Sequence, residues 1–150
     1  MVNVGGKQVT ERWAEAEAEI VVAPHVLRQI RAGASKKGDV FVTAQIAGIL
    51  AAKRTAQLIP LCHPLPLTDV QVDCQAQGNN RIRIRCSARC SAQTGVEMEA
   101  LTGAAVAALT IYDMCKSADR AMVIERLALI EKSGGRSGHY RRTSIARPKH

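Results

Sequence analysis

Aromatic residues are scarce in this 150-residue chain: Trp13, Phe41, Tyr112 and Tyr140 make up 3% of it. RNA-binding sheets stack bases on aromatic side chains, and none of these four falls in a strand of that kind, so no specific nucleic-acid partner is expected. The GxGxxG and GxxxxGK[ST] spacings are also missing, which excludes the usual dinucleotide fingerprint and the P-loop. Long apolar runs are missing too. The longest, Ala100 to Tyr112, is well short of the ~20 residues a membrane span needs, so no membrane partner is expected. The opening MVNVGGKQVTERW has no basic segment followed by an apolar run; it does not read as a secretion signal, and a cytoplasmic protein is expected.

Five cysteines, at positions 62, 74, 86, 90 and 115, form an odd set that suits reduced thiols better than a disulfide framework. Cys86-x3-Cys90 has no second Cys or His pair nearby, so no metal is expected. The formal charge of +8 sits mostly at one end. Six Lys or Arg and no acidic residue occur from Lys132 onward, and the rest of the chain carries only +2. The sequence therefore reads as one domain over residues 1–140 with a basic, disordered tail over 141–150.

Hydrophobic periodicity sets the order of elements. Arg12–Val22 (RWAEAEAEIVV) alternates with period two and ends in β-branched residues, which favours a strand over the helix that Ala and Glu alone would allow. Pro24 to Ala32 reads as a short helix with Pro in its first turn and Gly33 past its end. Val40 to Arg54 reads as a second helix, with Ile46, Ile49 and Leu50 at helical spacing. Asp69–Gln77 and Arg81–Arg89 alternate around Gly78-Asn79-Asn80, a hairpin signal. Thr94 to Glu97 matches a capping box opening a helix that runs to about Cys115. Met122 to Ile130 reads as a last strand. This order predicts an α+β, ferredoxin-like β-α-β-β-α-β sandwich, an antiparallel sheet with helices on one face. Ala100–Tyr112 is uncharged and apolar all round, so its second face is expected against another layer or another subunit.

Candidate chemistry gathers at the ends of that helix. Glu97 and Glu99 flank Met98 at its start, and Glu99 lies about 200° further round an ideal helix, so both face one pocket only if the first turn is irregular or two subunits meet there. Asp113 opposes the helix dipole at the other end, with Lys116 three residues on. An i,i+3 ion pair and a coupled general acid and base are both open readings of that pair. EKSGGRSGHY offers free backbone amides together with Lys132 and Arg136 to an anion, and it reads equally as a flexible loop. Lys36-Lys37 and Lys53-Arg54 are two further cationic pairs. In LIPLCHPLPLT three prolines stiffen the segment. Adjacent Cys62 and His63 in extended backbone would point to opposite sides, which argues against a nucleophile-base pair.

KGDVF, IAGILAAKRTAQLIPLCHPLPLT, TGVEMEALTGAAVAALTIYDMCK and EKSGGRSGHY, in this order, resemble the cyclic pyranopterin monophosphate synthase family, the C protein of molybdenum-cofactor biosynthesis. The likeness spans nearly everything from Val4 to Tyr140. It implies a lyase with no metal or redox cofactor that converts 3′,8-cyclo-7,8-dihydro-GTP, a GTP-derived cyclic triphosphate, to cyclic pyranopterin monophosphate and releases pyrophosphate. By the resemblance Asp113 is the catalytic acid/base, with Lys116 as proton donor or electrostatic partner. Leu61, Cys62, His63, Glu97, Met98 and Glu99 would bind substrate, and Lys132, Lys37 and Lys53 would neutralise phosphate or developing charge. It also implies a homohexamer built as three dimers, with pockets between subunits. One position departs from the pattern, since Arg136 stands where the family typically has a lysine.

Overall fold

The computed structural model describes residues 1–143. Its elements are β1 (Thr10–Val21), α1 (Pro24–Arg31), α2 (Val40–Ala52), α3 (Thr55–Leu58), β2 (Leu67–Gln77), β3 (Arg81–Ala92), α4 (Glu97–Cys115), β4 (Val123–Ser133) and β5 (Tyr140–Arg141). The strands form one sheet in the order β2-β3-β1-β4-β5, and every pairing is antiparallel. The first four strands with α2 and α4 thus make the expected ferredoxin-like α+β sandwich.

β1 confirms the period-two reading. Ala14, Ala16, Ala18 and Ile20 are fully buried beneath the helices, while the intervening glutamates lie on the other face. There Glu17 is buried by two guanidiniums, with Arg85 Nε 3.0 Å from its carboxylate and Arg126 donating from the neighbouring strand. A buried carboxylate held on both sides keeps its hydrogen bonds and its charge balance.

α2 and α4 lie side by side. Gly48 and Gly103 meet at their crossing, where a Cβ on Gly48 would stand 2.9 Å from the Gly103 carbonyl oxygen. The small-residue run of α4 therefore serves close approach to α2 as well as burial on the sheet, so part of its second apolar face is met within the same chain. The apolar excess emerges on α2 instead. Val42, Ile46 and Leu50, one turn apart, are about half exposed.

Two sequence expectations change. The helix does not begin with a capping box at Thr94. Its N-cap is Val96, without a side-chain cap, and Glu97 is its first residue. The Glu97 carboxylate folds back over Gly95 and pairs with Lys132, so it is unavailable to the Thr94 amide. Order also continues past residue 140. Tyr140 and Arg141 pair with Lys132 and Glu131, and the Arg142 amide donates to the Ile130 carbonyl at 2.8 Å. The remainder of the expected tail, 144–150, lies outside the described residues.

Candidate functional site

The polar groups form two clusters at opposite ends of α4. Asp113 lies sixteen positions along the helix from Glu97, about 24 Å at 1.5 Å per residue.

The first cluster surrounds a cavity of about 730 Å³ between the N-terminal arm, the start of β1, the β3–α4 loop and the glycine-rich segment after β4. Lys7, Arg12, Lys132 and Arg136 line it, with Glu97 the one carboxylate among its lining residues. Lys132 Nζ lies 3.4 Å from Glu97 Oε1 and also donates to Ser137 Oγ, so the ammonium is held at the cavity wall. Arg12 Nε donates to the Ala92 carbonyl at 3.3 Å. Gly135, at φ 72°, packs directly on the Arg12 guanidinium, where any side chain would collide. Four cations and one carboxylate give this open cavity a net positive lining, which favours an anion.

Next to it lies a smaller cavity of about 180 Å³, lined by Leu61, Cys62, His63, Glu97, Met98 and Glu99 among others. Both glutamates therefore face one pocket within a single chain, because Glu97 is folded back at the helix start instead of projecting radially. Glu99 is only 4% exposed. Burial pushes its carboxyl pKa up, and the charge of Glu97 adds to the effect. Cys62 and His63 both line this cavity. The Cys62 amide closes a turn onto the Ile59 carbonyl at 3.1 Å, which sets where the segment enters the cavity wall. Burial, with Glu99 nearby, raises the Cys62 thiol pKa, the wrong direction for a nucleophile. Lys53, at the C-cap of α2, lines a further recess of about 110 Å³ on the other side of Glu99.

The second cluster is compact. Lys116 Nζ lies 2.7 Å from Asp113 Oδ1, and Lys37 Nζ lies 3.2 Å from Asp113 Oδ2 and 3.0 Å from its carbonyl oxygen. Hydrogen bonds from Lys116 and then Lys37 hold the Asp113 carboxyl below the usual aspartate range, and Asp113 in turn raises the Lys116 ammonium. Lys37 arrives because Asp39 caps α2, accepting from the Phe41 and Val42 amides at 2.9 and 3.0 Å, and Gly38 turns the chain at φ 93°. All three groups are exposed, so they can meet a ligand from outside the chain.

Sequence reasoning did not single out Lys7, Arg12 or Gln93. Arg12 looked like an ordinary strand residue, and its partner carbonyl is 80 positions away. A lone cation opening a strand gives no local sign of such a contact.

A split antiparallel sheet covered by helices, with a carboxylate–lysine cluster at one end of α4 and a cation-lined cavity at the other, defines an α+β sandwich. Comparison with protein families then gives the kinship: the MoaC family model matches residues 1–135, and the chain belongs to the MoaC family. That is the cyclic pyranopterin monophosphate synthase family its motifs resemble, and membership assigns the chain to molybdenum cofactor biosynthesis. Among the described residues no helix is long and apolar enough to cross a membrane.

Proposed function

We propose that this chain is a lyase that rearranges 3′,8-cyclo-7,8-dihydro-GTP into cyclic pyranopterin monophosphate and releases pyrophosphate, acting in the cytoplasm. The observation that carries this reading is the Asp113 carboxylate held between Lys116 and Lys37. A carboxylate and two ammonium groups within hydrogen-bond reach can take up and return protons as rings open and close, with no net oxidation. Asp113 accepts a proton from substrate, and Lys116 or Lys37 donates one to a leaving nitrogen or oxygen. The last step is attack of a sugar-derived hydroxyl on the α-phosphorus. The bond to the β-phosphate oxygen breaks, and pyrophosphate leaves with that electron pair.

The cation-lined cavity suits the triphosphate and the departing pyrophosphate, with Lys132 and Arg136 balancing their charge. Arginine in place of lysine at 136 keeps charge and fork-like donors, as phosphate binding needs. Leu61, Cys62, His63, Met98 and Glu99 shape the neighbouring wall, where burial raises the Glu99 carboxyl's proton affinity and places a hydrogen-bonding group against a heterocycle. Lys53 adds charge beside Glu99.

A pocket that uses both clusters draws on two chains, because one helix keeps them about 24 Å apart. The exposed stripe Val42, Ile46 and Leu50 supports such an assembly, which we place as a homohexamer of three dimers. The test is incubation of purified protein with the cyclic dihydro-GTP intermediate, following pyrophosphate and pterin. The expected result is stoichiometric release of both. Absence of turnover with freshly made intermediate overturns the reading.

A further inference from the structure

The N-terminal arm, residues 1–9, runs beside the large cavity and contributes Gly6, Lys7 and Gln8 to its lining. It has little apolar anchorage. Met1, Val2 and Val9 are 71, 74 and 61% exposed. Its internal order is local: the Lys7 amide donates to the Val4 carbonyl and the Gly5 amide to Asn3 Oδ1, each at 2.9 Å. Among the described residues, the hydrogen bonds that tie it to the rest of the chain come from one side chain. Gln93 Nε2 donates to the Lys7 carbonyl at 3.0 Å and to the Gly5 carbonyl at 3.3 Å. A carboxamide nitrogen has two hydrogens, so both are used and the group is fixed in orientation. The backbone carbonyl of the same residue accepts from Arg12 Nη2 at 3.5 Å. Gln93 therefore touches the supports of two cations that face the cavity from opposite strands of chain.

We infer that Gln93 is a positioning residue that straps the N-terminal arm across the cation-lined cavity and holds Lys7 where pyrophosphate, or the outer phosphates of a triphosphate ester, would bind. The inference rests on the lyase reading for its substrate but not for its test. A lysine in an untethered segment, even three residues from the start of β1, loses conformational freedom on binding an anion, whereas a strapped one has already lost it.

The experiment is calorimetric titration of the full chain with inorganic pyrophosphate, comparing wild type, Gln93→Leu, Lys7→Ala and the double variant. Gln93→Asn, one methylene too short to reach both carbonyls, is measured beside them as the milder change. Gln93→Leu and Lys7→Ala should each weaken binding about 10-fold, and the double variant should be no weaker than Lys7→Ala. Amide exchange over residues 4–8 should quicken in Gln93→Leu and Gln93→Asn while their melting temperatures stay at the wild-type value. With the cyclic triphosphate, KM should rise with kcat retained. Wild-type pyrophosphate affinity in both Gln93 variants, or losses that multiply in the double variant, overturns the strap. A chain that fails to turn over the cyclic triphosphate yet keeps this coupling removes the lyase reading and leaves the strap. Normal turnover with no coupling does the reverse.

Discussion

Lys37 and Lys116 grip the two oxygens of one carboxylate, that of Asp113, from different elements, one from the loop before α2 and one from the end of α4. Asp113→Asn keeps the shape and removes the carboxylate's charge. The expected outcome is loss of turnover by about 10² to 10⁴-fold, the usual range for a general acid-base group, with no change in melting temperature. Full activity in that variant would remove Asp113 from the mechanism.

The same geometry fixes the pH behaviour of the cluster. The folded pKa of Asp113 is depressed, so its interaction with the lysines is fully present above the ordinary aspartate range and is lost as pH falls through the lowered value. Carbon NMR of the Asp113 carboxyl should show titration below 3.8, the ordinary value, and Lys116→Ala should move it upward by more than Lys37→Ala does. An unchanged midpoint in Lys116→Ala contradicts the assignment.

Glu99 runs in the opposite direction. Its folded pKa is raised by burial, so the folded state holds a proton that the unfolded chain has released, and stability falls as pH rises from the ordinary glutamate range through the raised value. Glu99→Gln cannot ionise. Its melting temperature should stay level across that window while that of wild type drops, and parallel curves would show that Glu99 is not desolvated.

Gly95→Ala tests the fold-back at the start of α4. A Cβ there overlaps the Glu97 carboxylate, which must swing away from Lys132. Displacement of a binding group by about 1 Å can cost on the order of 10²-fold, so kcat/KM should fall by that order. Stability should hardly move, because the group displaced is the far end of a flexible side chain. The double variant Gly95→Ala with Glu97→Ala should be no slower than Glu97→Ala alone.

Gly103→Ala should act on stability. The added methyl overlaps Cys86 Sγ on the sheet and crowds the Gly48 carbonyl on α2, two neighbours that cannot both give way. Overpacking of this kind costs about 1 to 3 kcal/mol, measurable by urea unfolding. A loss well under 1 kcal/mol would mean that the crossing is looser than it looks.

Strands were the most legible part of the sequence, because alternation records burial directly. The three alanines and one isoleucine of β1 that alternate with glutamate are those that face the helices. The start of α4 was misread because a capping box is a local pattern, whereas the Glu97 side chain is claimed by Lys132 from a strand 35 positions later. Asp113 was visible because a carboxylate at a helix C-terminus is unfavourable without a partner, and one of its two partners was near in sequence. Lys7, Arg12 and Gln93 converge only through the sheet register that sets Thr10 opposite Ala92, and nothing nearby in sequence announces it.

The contact between Gly48 and Gly103 has a mechanical consequence. Two helices that touch backbone to backbone cannot slide or rotate past each other without steric collision, so α2 and α4 behave as one stiff beam. Lys53 and Glu99 ride on one tip, and the loop bearing Lys37 meets Asp113 at the other. The spacing between the charges at the two tips is therefore set by the backbone contact at the crossing and not by the side chains between them.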